Sequence, residues 1–160
     1  MTVAHDRLDA EIPADALIVI DTSATLAYLT GTESASPAAE WLFDGCIARG
    51  RNPGLLSTVT VAELLVRPFR AGKAALATAE GFLRFFAEIH IADVTYAVAR
   101  EGARVRAATN LSMPDSLIIA TALVHDAAFL VTNDARWPAA VDAPGGAIRV
   151  CCLKDFVTSG

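Results

Sequence analysis

Three cysteines in 160 residues, two of them adjacent (Cys46, Cys151, Cys152), leave no C-x-x-C pair and no Cys/His spacing of the kind that builds a zinc site. They exclude a disulfide framework and suit a reducing, cytoplasmic setting. Histidine is as sparse: His5, His90 and His125 are scattered, so neither a Ser/His/Asp triad nor a histidine metal centre has support. The chain also lacks a membrane segment. The longest apolar stretch, residues 117–131, is broken by Thr121, His125 and Asp126, short of the roughly 18 residues a span requires. Nor do the first residues read as a secretory signal, because Asp6, Asp9, Glu11 and Asp15 stand there against Arg7 without an apolar core. Residues 1–16 are expected to form a loosely held acidic leader, and residues 17–157 a single domain.

What is abundant is apolar: 54% of the chain is hydrophobic and mean hydropathy is +0.44. The formal net charge of −5 argues against a nucleic-acid partner only as a single number. Residues 16–160 carry 14 acids and 12 bases, so four particular carboxylates, discussed next, decide the sign of the domain.

The pattern alternates strands and helices. "ALIVID" (residues 16–21) has the length and β-branched content of a strand buried on both faces. Thr22 and Ser23 offer caps to a short helix stopped by Gly31, and Pro37 opens a second helix closing near Gly50. A strand at residues 55–57 leads into a helix carrying Glu63, which Pro68 should kink or end early. Helices follow over residues 73–86, 95–109 and from Ser112 onward, with strands at residues 88–94, 129–132 and 147–153. The last strand comes after a Pro144, Gly145, Gly146 turn. Such alternation implies parallel pairing, right-handed crossovers and helices on both faces of an α/β sheet.

In an open parallel sheet, sites form beyond the carboxyl ends of the strands. Asp21 ends the first strand and Asp134 follows the strand Phe129, Leu130, Val131. Glu63 lies about two turns into a helix that starts at that edge, and Asp115 occupies the first turn of another helix. Each has a structural use: Asp21 as a helix cap, Asp115 against a helix dipole, Asp134 in a turn. Glu63 lies between Ala62 and Leu64, where a carboxylate costs free energy unless paired. Two carboxylates about 6 Å apart repel by roughly 3 kcal/mol at an effective dielectric of 20. Four converging acids would therefore recruit a hard divalent cation, Mg²⁺ or Mn²⁺, and metal-assisted phosphodiester hydrolysis is the chemistry that follows. The same crowding predicts that Asp134→Asn raises stability without metal.

Taken together, "IVIDTSATLAYL", "STVTVAELLVRP", "LSMPDSLIIATAL" and "LVTNDARW" resemble, in order and spacing, the PIN-domain ribonucleases, and within them the VapC-type toxins of toxin-antitoxin pairs. The resemblance covers residues 17–156. It implies a PIN-like three-layer sandwich with a five-stranded parallel sheet, and Mg²⁺ or Mn²⁺ held by Asp21 and Asp115 with Glu63 and Asp134 direct or water-bridged. Thr132 would orient a water or phosphate. An RNA substrate, a small cognate antitoxin and a homodimer are further implications. Family members often carry another acid where this chain has Arg136, which leaves open whether one metal or two bind. A catalytically silent PIN-like module, binding a partner through an apolar groove, is the alternative.

Overall fold

The computed structural model describes residues 2–143 and 146–157. Six strands form one sheet in the order β3-β2-β1-β4-β6-β5, with β1 Ile18–Ile20, β2 Gly54–Ser57, β3 Ile89–Ala92, β4 Phe129–Thr132, β5 Ala140–Ala143 and β6 Gly146–Cys152. Five run parallel, as the alternating pattern required. The sixth, β5, is an addition to the expected five: it pairs antiparallel with β6, Val141 opposite Ile148. A four-residue strand leaving a Trp-Pro segment lacks the long apolar run that marked the others. The expected turn residues Pro144 and Gly145 lie outside the described residues.

Side chains alternate across this sheet with the period of two that a strand imposes. Ile18, Ile20, Leu56, Phe129, Val131 and Cys151 enter one core, whereas Val19, Leu55, Leu130 and Ile148 enter the other. The first is covered by α1 Thr2–Glu11, α2 Thr22–Thr30, α3 Ser36–Glu40 with its π-helical continuation Trp41–Ile47, α4 Thr58–Ala71 and α5 Lys73–Phe85. The second lies under α6 Tyr96–Thr109 and α7 Met113–Val124, with Trp137 buried beside them. This is the three-layer α/β sandwich. Among the described residues, no single helix is long and apolar enough to cross a membrane.

Two expectations are corrected. Residues 2–16 are not a loose leader: Leu8 of α1 and Ile12 just past its end are buried in the first core, each 1% exposed. His5 stacks on the Trp41 ring with centroids 4.4 Å apart, and Trp41 Nε1 donates to Asp9 Oδ1 at 3.0 Å. Arg51 donates to the carbonyls of Asp9 and Ile12, and Asn52 to those of Pro13 and Ala16, so the segment's backbone is tied down as well. Acidic composition concealed an apolar pair spaced i, i+4, one residue on α1 and the other just past its end. Nor does Pro68 end its helix. A proline removes its own N–H but keeps its carbonyl, and Gly72 N donates to that carbonyl at 3.0 Å, so α4 runs one turn beyond it.

Two helices whose positions matter below meet closely. A Cβ built at Gly102 of α6 would stand 2.7 Å from Leu117 Cδ2 and 3.3 Å from Leu117 Cγ on α7. Gly102→Ala is expected to be nearly neutral, because Leu117 can swing its terminal methyl and alanine favours the helix by about 1 kcal/mol. Gly102→Val, branched into the same contact, is expected to cost about 1–3 kcal/mol in urea unfolding and to displace the start of α7.

Candidate active site

Parallel pairing of β1 with β4 sets Ile20 opposite Val131, so the residues that follow, Asp21 and Thr132, emerge side by side. This is where the chain order reverses, β1 connecting outward to β2 on one side while β4 lies on the other, the crevice at which open α/β sheets bind ligands. Asp21 is 4% exposed. It caps α2, its Oδ1 accepting from Thr22 N at 2.7 Å, so of the caps the sequence offers Asp21 serves, and Thr22 and Ser23 do not. Its Oδ2 accepts from Ser23 Oγ at 2.6 Å and from Thr132 Oγ1 at 2.8 Å. Ser23 Oγ in turn accepts from Asn133 N at 2.9 Å, which stitches the start of α2 to the exit of β4. Burial pushes the Asp21 carboxyl above its ordinary range. The hydrogen bonds from Ser23, Thr132 and Thr22 oppose that shift, and the charge of Asp115 adds to it.

Asp115 is placed by topology: α7 feeds β4, so the helix ends at the amino edge of the sheet and must begin at the carboxyl edge. Pattern alone left that open. Ser112 caps α7 through Asp115 N at 3.2 Å and donates its hydroxyl to Asp115 Oδ2 at 2.6 Å. Glu63 is exposed, so the expected cost of burying it does not arise. It instead accepts a short hydrogen bond from Thr22 Oγ1, which also lies 3.2 Å from Thr60 Oγ1.

Asp134 differs from the other three. Its backbone N–H donates to Thr132 Oγ1 at 3.0 Å, but its carboxylate faces Arg136, whose Nε lies 2.9 and 3.0 Å from the two oxygens and whose Nη2 bonds Oδ2. The guanidinium holds the Asp134 carboxyl below its ordinary range. The expectation that Asp134→Asn relieves repulsion is therefore corrected: Asp134 is already paired, and the strained carboxylate is Asp21.

Thus Asp21, Thr132 and Asp134 share one hydrogen-bond network, Asp115 acts on Asp21 through its charge, and Glu63 reaches α2 through Thr22. Among the described residues, no three Asp, Glu, His or Cys side chains are gathered tightly enough to enclose an ion. Mg²⁺ rarely demands such a cage, because it keeps several waters and is commonly bound by one or two carboxylates plus substrate phosphate. The donors suit that mode: they are all hard oxygens, and none of the described ion pairs involves Asp21, Asp115 or Glu63. Sequence reasoning passed over the hydroxyls of Ser23 and Ser112, having treated Ser23 only as a cap. The available signal was the strand register, which sets Ser23 near Thr132 once β1 and β4 are paired.

A buried strand-end carboxylate at the switch point, with further acids on two helices that start at the same edge, defines an acidic α/β site suited to cations and phosphate. The PIN domain family model matches residues 18–142, and the chain belongs to the PIN domain family. Its fold is shared by VapBC from Salmonella typhimurium solved with DNA, at TM-score 0.63 and 19% identity over 86% of this chain and 98% of that one. VapC20 of Mycobacterium tuberculosis, a toxin that cleaves the sarcin-ricin loop, aligns at TM-score 0.59 and 18% identity over 74% of this chain and 90% of that one. VapBC2 of Rickettsia felis, bound to a promoter DNA fragment, aligns at 0.55 and 18%, over 74% and 88%. No curated protein matches the chain.

Proposed function

We propose that this protein is a metal-dependent endoribonuclease and the toxin of a toxin-antitoxin pair. The observation that supports the reading most is Asp21: a carboxylate 4% exposed, outside every described ion pair, beside a second acid at the carboxyl edge of the sheet. Asp21 and Asp115 would hold Mg²⁺ or Mn²⁺, with Glu63 at the rim acting directly or through water and Asp134 acting through water. A divalent ion bound there acidifies a water and offsets charge developing at phosphorus. Thr132, which donates to Asp21 and accepts from Asp134 N, fixes the geometry between those two carboxylates. Ser23, Thr132 and the Thr22 N–H hold Asp21 in one rotamer at the carboxyl edge of the sheet. Single-stranded RNA or an RNA loop is the substrate class, since the site is open at the sheet edge and reads exposed backbone.

An apolar surface supports a partner. Phe43, Phe82 and Phe86 close on Tyr28 as an aromatic cluster, and Leu42 is fully buried. Phe69 on α4 and Phe85 on α5 are left 66% and 83% exposed, with Val66 and Leu29 also uncovered. A helix of a small antitoxin, or a second copy of the chain, would cover them.

The test is cleavage of a labelled single-stranded RNA by purified protein. Activity is expected with Mg²⁺ or Mn²⁺ and none in EDTA, returning when Mn²⁺ is restored. Cleavage undiminished in EDTA would overturn the metal-dependent reading, and absence of cleavage under all conditions would favour a silent binding module.

A further inference from the structure

We propose that Arg136 is a substrate-contacting residue that keeps Asp134 from ligating an ion, limits the site to one divalent cation and offers its remaining N–H groups to an RNA phosphate. The inference rests on the nuclease reading above.

The geometry of the pair carries it. Both oxygens of Asp134 are engaged by one cationic residue: Oδ1 accepts from Arg136 N at 2.9 Å, the single Nε–H is shared between Oδ1 at 2.9 Å and Oδ2 at 3.0 Å, and Oδ2 also accepts from Nη2. An ion could bind Asp134 only by breaking this chelate, in which backbone and side chain of one residue close on the same carboxylate two positions earlier. The guanidinium has five N–H donors, of which the described bonds use two. The three left over include both on Nη1, and the side chain is 82% exposed, so they are open to solvent at the mouth of the crevice. Thr132 Oγ1 donates to Asp21 and accepts from Asp134 N, which sets Asp134 and the guanidinium it holds on the rim beside Asp21.

Charge points the same way. Asp21, Glu63, Asp115 and Asp134 with Arg136 sum to −3, and one divalent ion brings that to −1. A second ion would have to approach the guanidinium and displace it from Asp134. A planar fork that holds a carboxylate on one edge and presents N–H groups on the other suits a phosphodiester oxygen, which it can meet with charge-assisted bonds.

The experiment measures binding. Mn²⁺ titrated calorimetrically into the full chain is expected to give one ion per wild-type chain and two per Arg136→Gln chain. Affinity for a short single-stranded RNA, read by fluorescence anisotropy in EDTA, is expected to fall about tenfold in Arg136→Gln. Arg100→Gln, an exposed arginine paired with Glu101 on α6, should change neither. Two ions on wild type, or RNA affinity unmoved by Arg136→Gln, overturns the assignment of Arg136. A wild type that binds neither Mn²⁺ nor RNA overturns the nuclease reading itself, which separates the two failures.

Discussion

Asp21→Asn is expected to abolish cleavage while making the metal-free protein more stable. Loss of a group that merely supports a metal ligand typically costs 10–100-fold, so loss of a ligand should lower kcat/KM by more than about 100-fold. The stability effect has the opposite sign because the carboxylate is buried, without a cationic partner, and near Asp115. Asparagine keeps the cap, with its oxygen on Thr22 N. Its amide can donate to the hydroxyls of Ser23 and Thr132, which have lone pairs to receive it. The expected gain is on the order of 1 kcal/mol, or about 2–4 °C in Tm. The pH dependence agrees. A carboxyl whose native pKa is raised binds protons more tightly when folded, so metal-free wild type should gain stability as pH falls through that raised value toward 3.8. Asp21→Asn should flatten this gain. Asp134 runs the other way: held low by Arg136, it loses its contribution only as pH falls below 3.8. Thermal melts in EDTA from pH 7 to pH 4 measure this. A less stable Asp21→Asn with an unchanged pH profile would mean that its hydrogen bonds outweigh its desolvation.

Leu8→Ala is expected to cost about 2–4 kcal/mol, as would Ile12→Ala, although both lie in a segment whose composition reads as an acidic tail. Each side chain is 1% exposed in the first core, where the segment packs against α3 and residues 153–156, so truncation leaves a cavity that its surroundings fill only in part. Removing residues 1–12 should do more. It exposes that face and leaves Arg51, which donates to the carbonyls of Asp9 and Ile12, without its partners. Urea denaturation of the single variants decides the point, and Asp6→Ala serves as a surface control. Equal midpoints for Leu8→Ala and the control would return the segment to a loosely attached leader.

By itself the sequence determined the α/β alternation, the five parallel strands and the residues worth suspecting, because a strand buried on both faces must be a continuous apolar run. A carboxylate at the end of such a run cannot be mistaken for core. It also carried the resemblance to PIN domains, which the family match over residues 18–142 bears out. Three matters were decided only by tertiary structure. α1 joins the core because His5 stacks on Trp41, Asp9 accepts from its Nε1, and Leu8 and Ile12 enter the same apolar cluster, contacts between segments some thirty residues apart that no local acidic window reveals. β5 exists because β6 presents an edge to pair with, and a short strand is specified by its neighbour more than by its own residues. Among the acids, sequence could say that they approach one edge but not which would suffer for it. Whether a carboxylate is strained depends on what surrounds it in space. Arg136 folds back onto Asp134, Glu63 is left in solvent against Thr22, and Asp21 alone is carried out of water by the packing of β1 against β4.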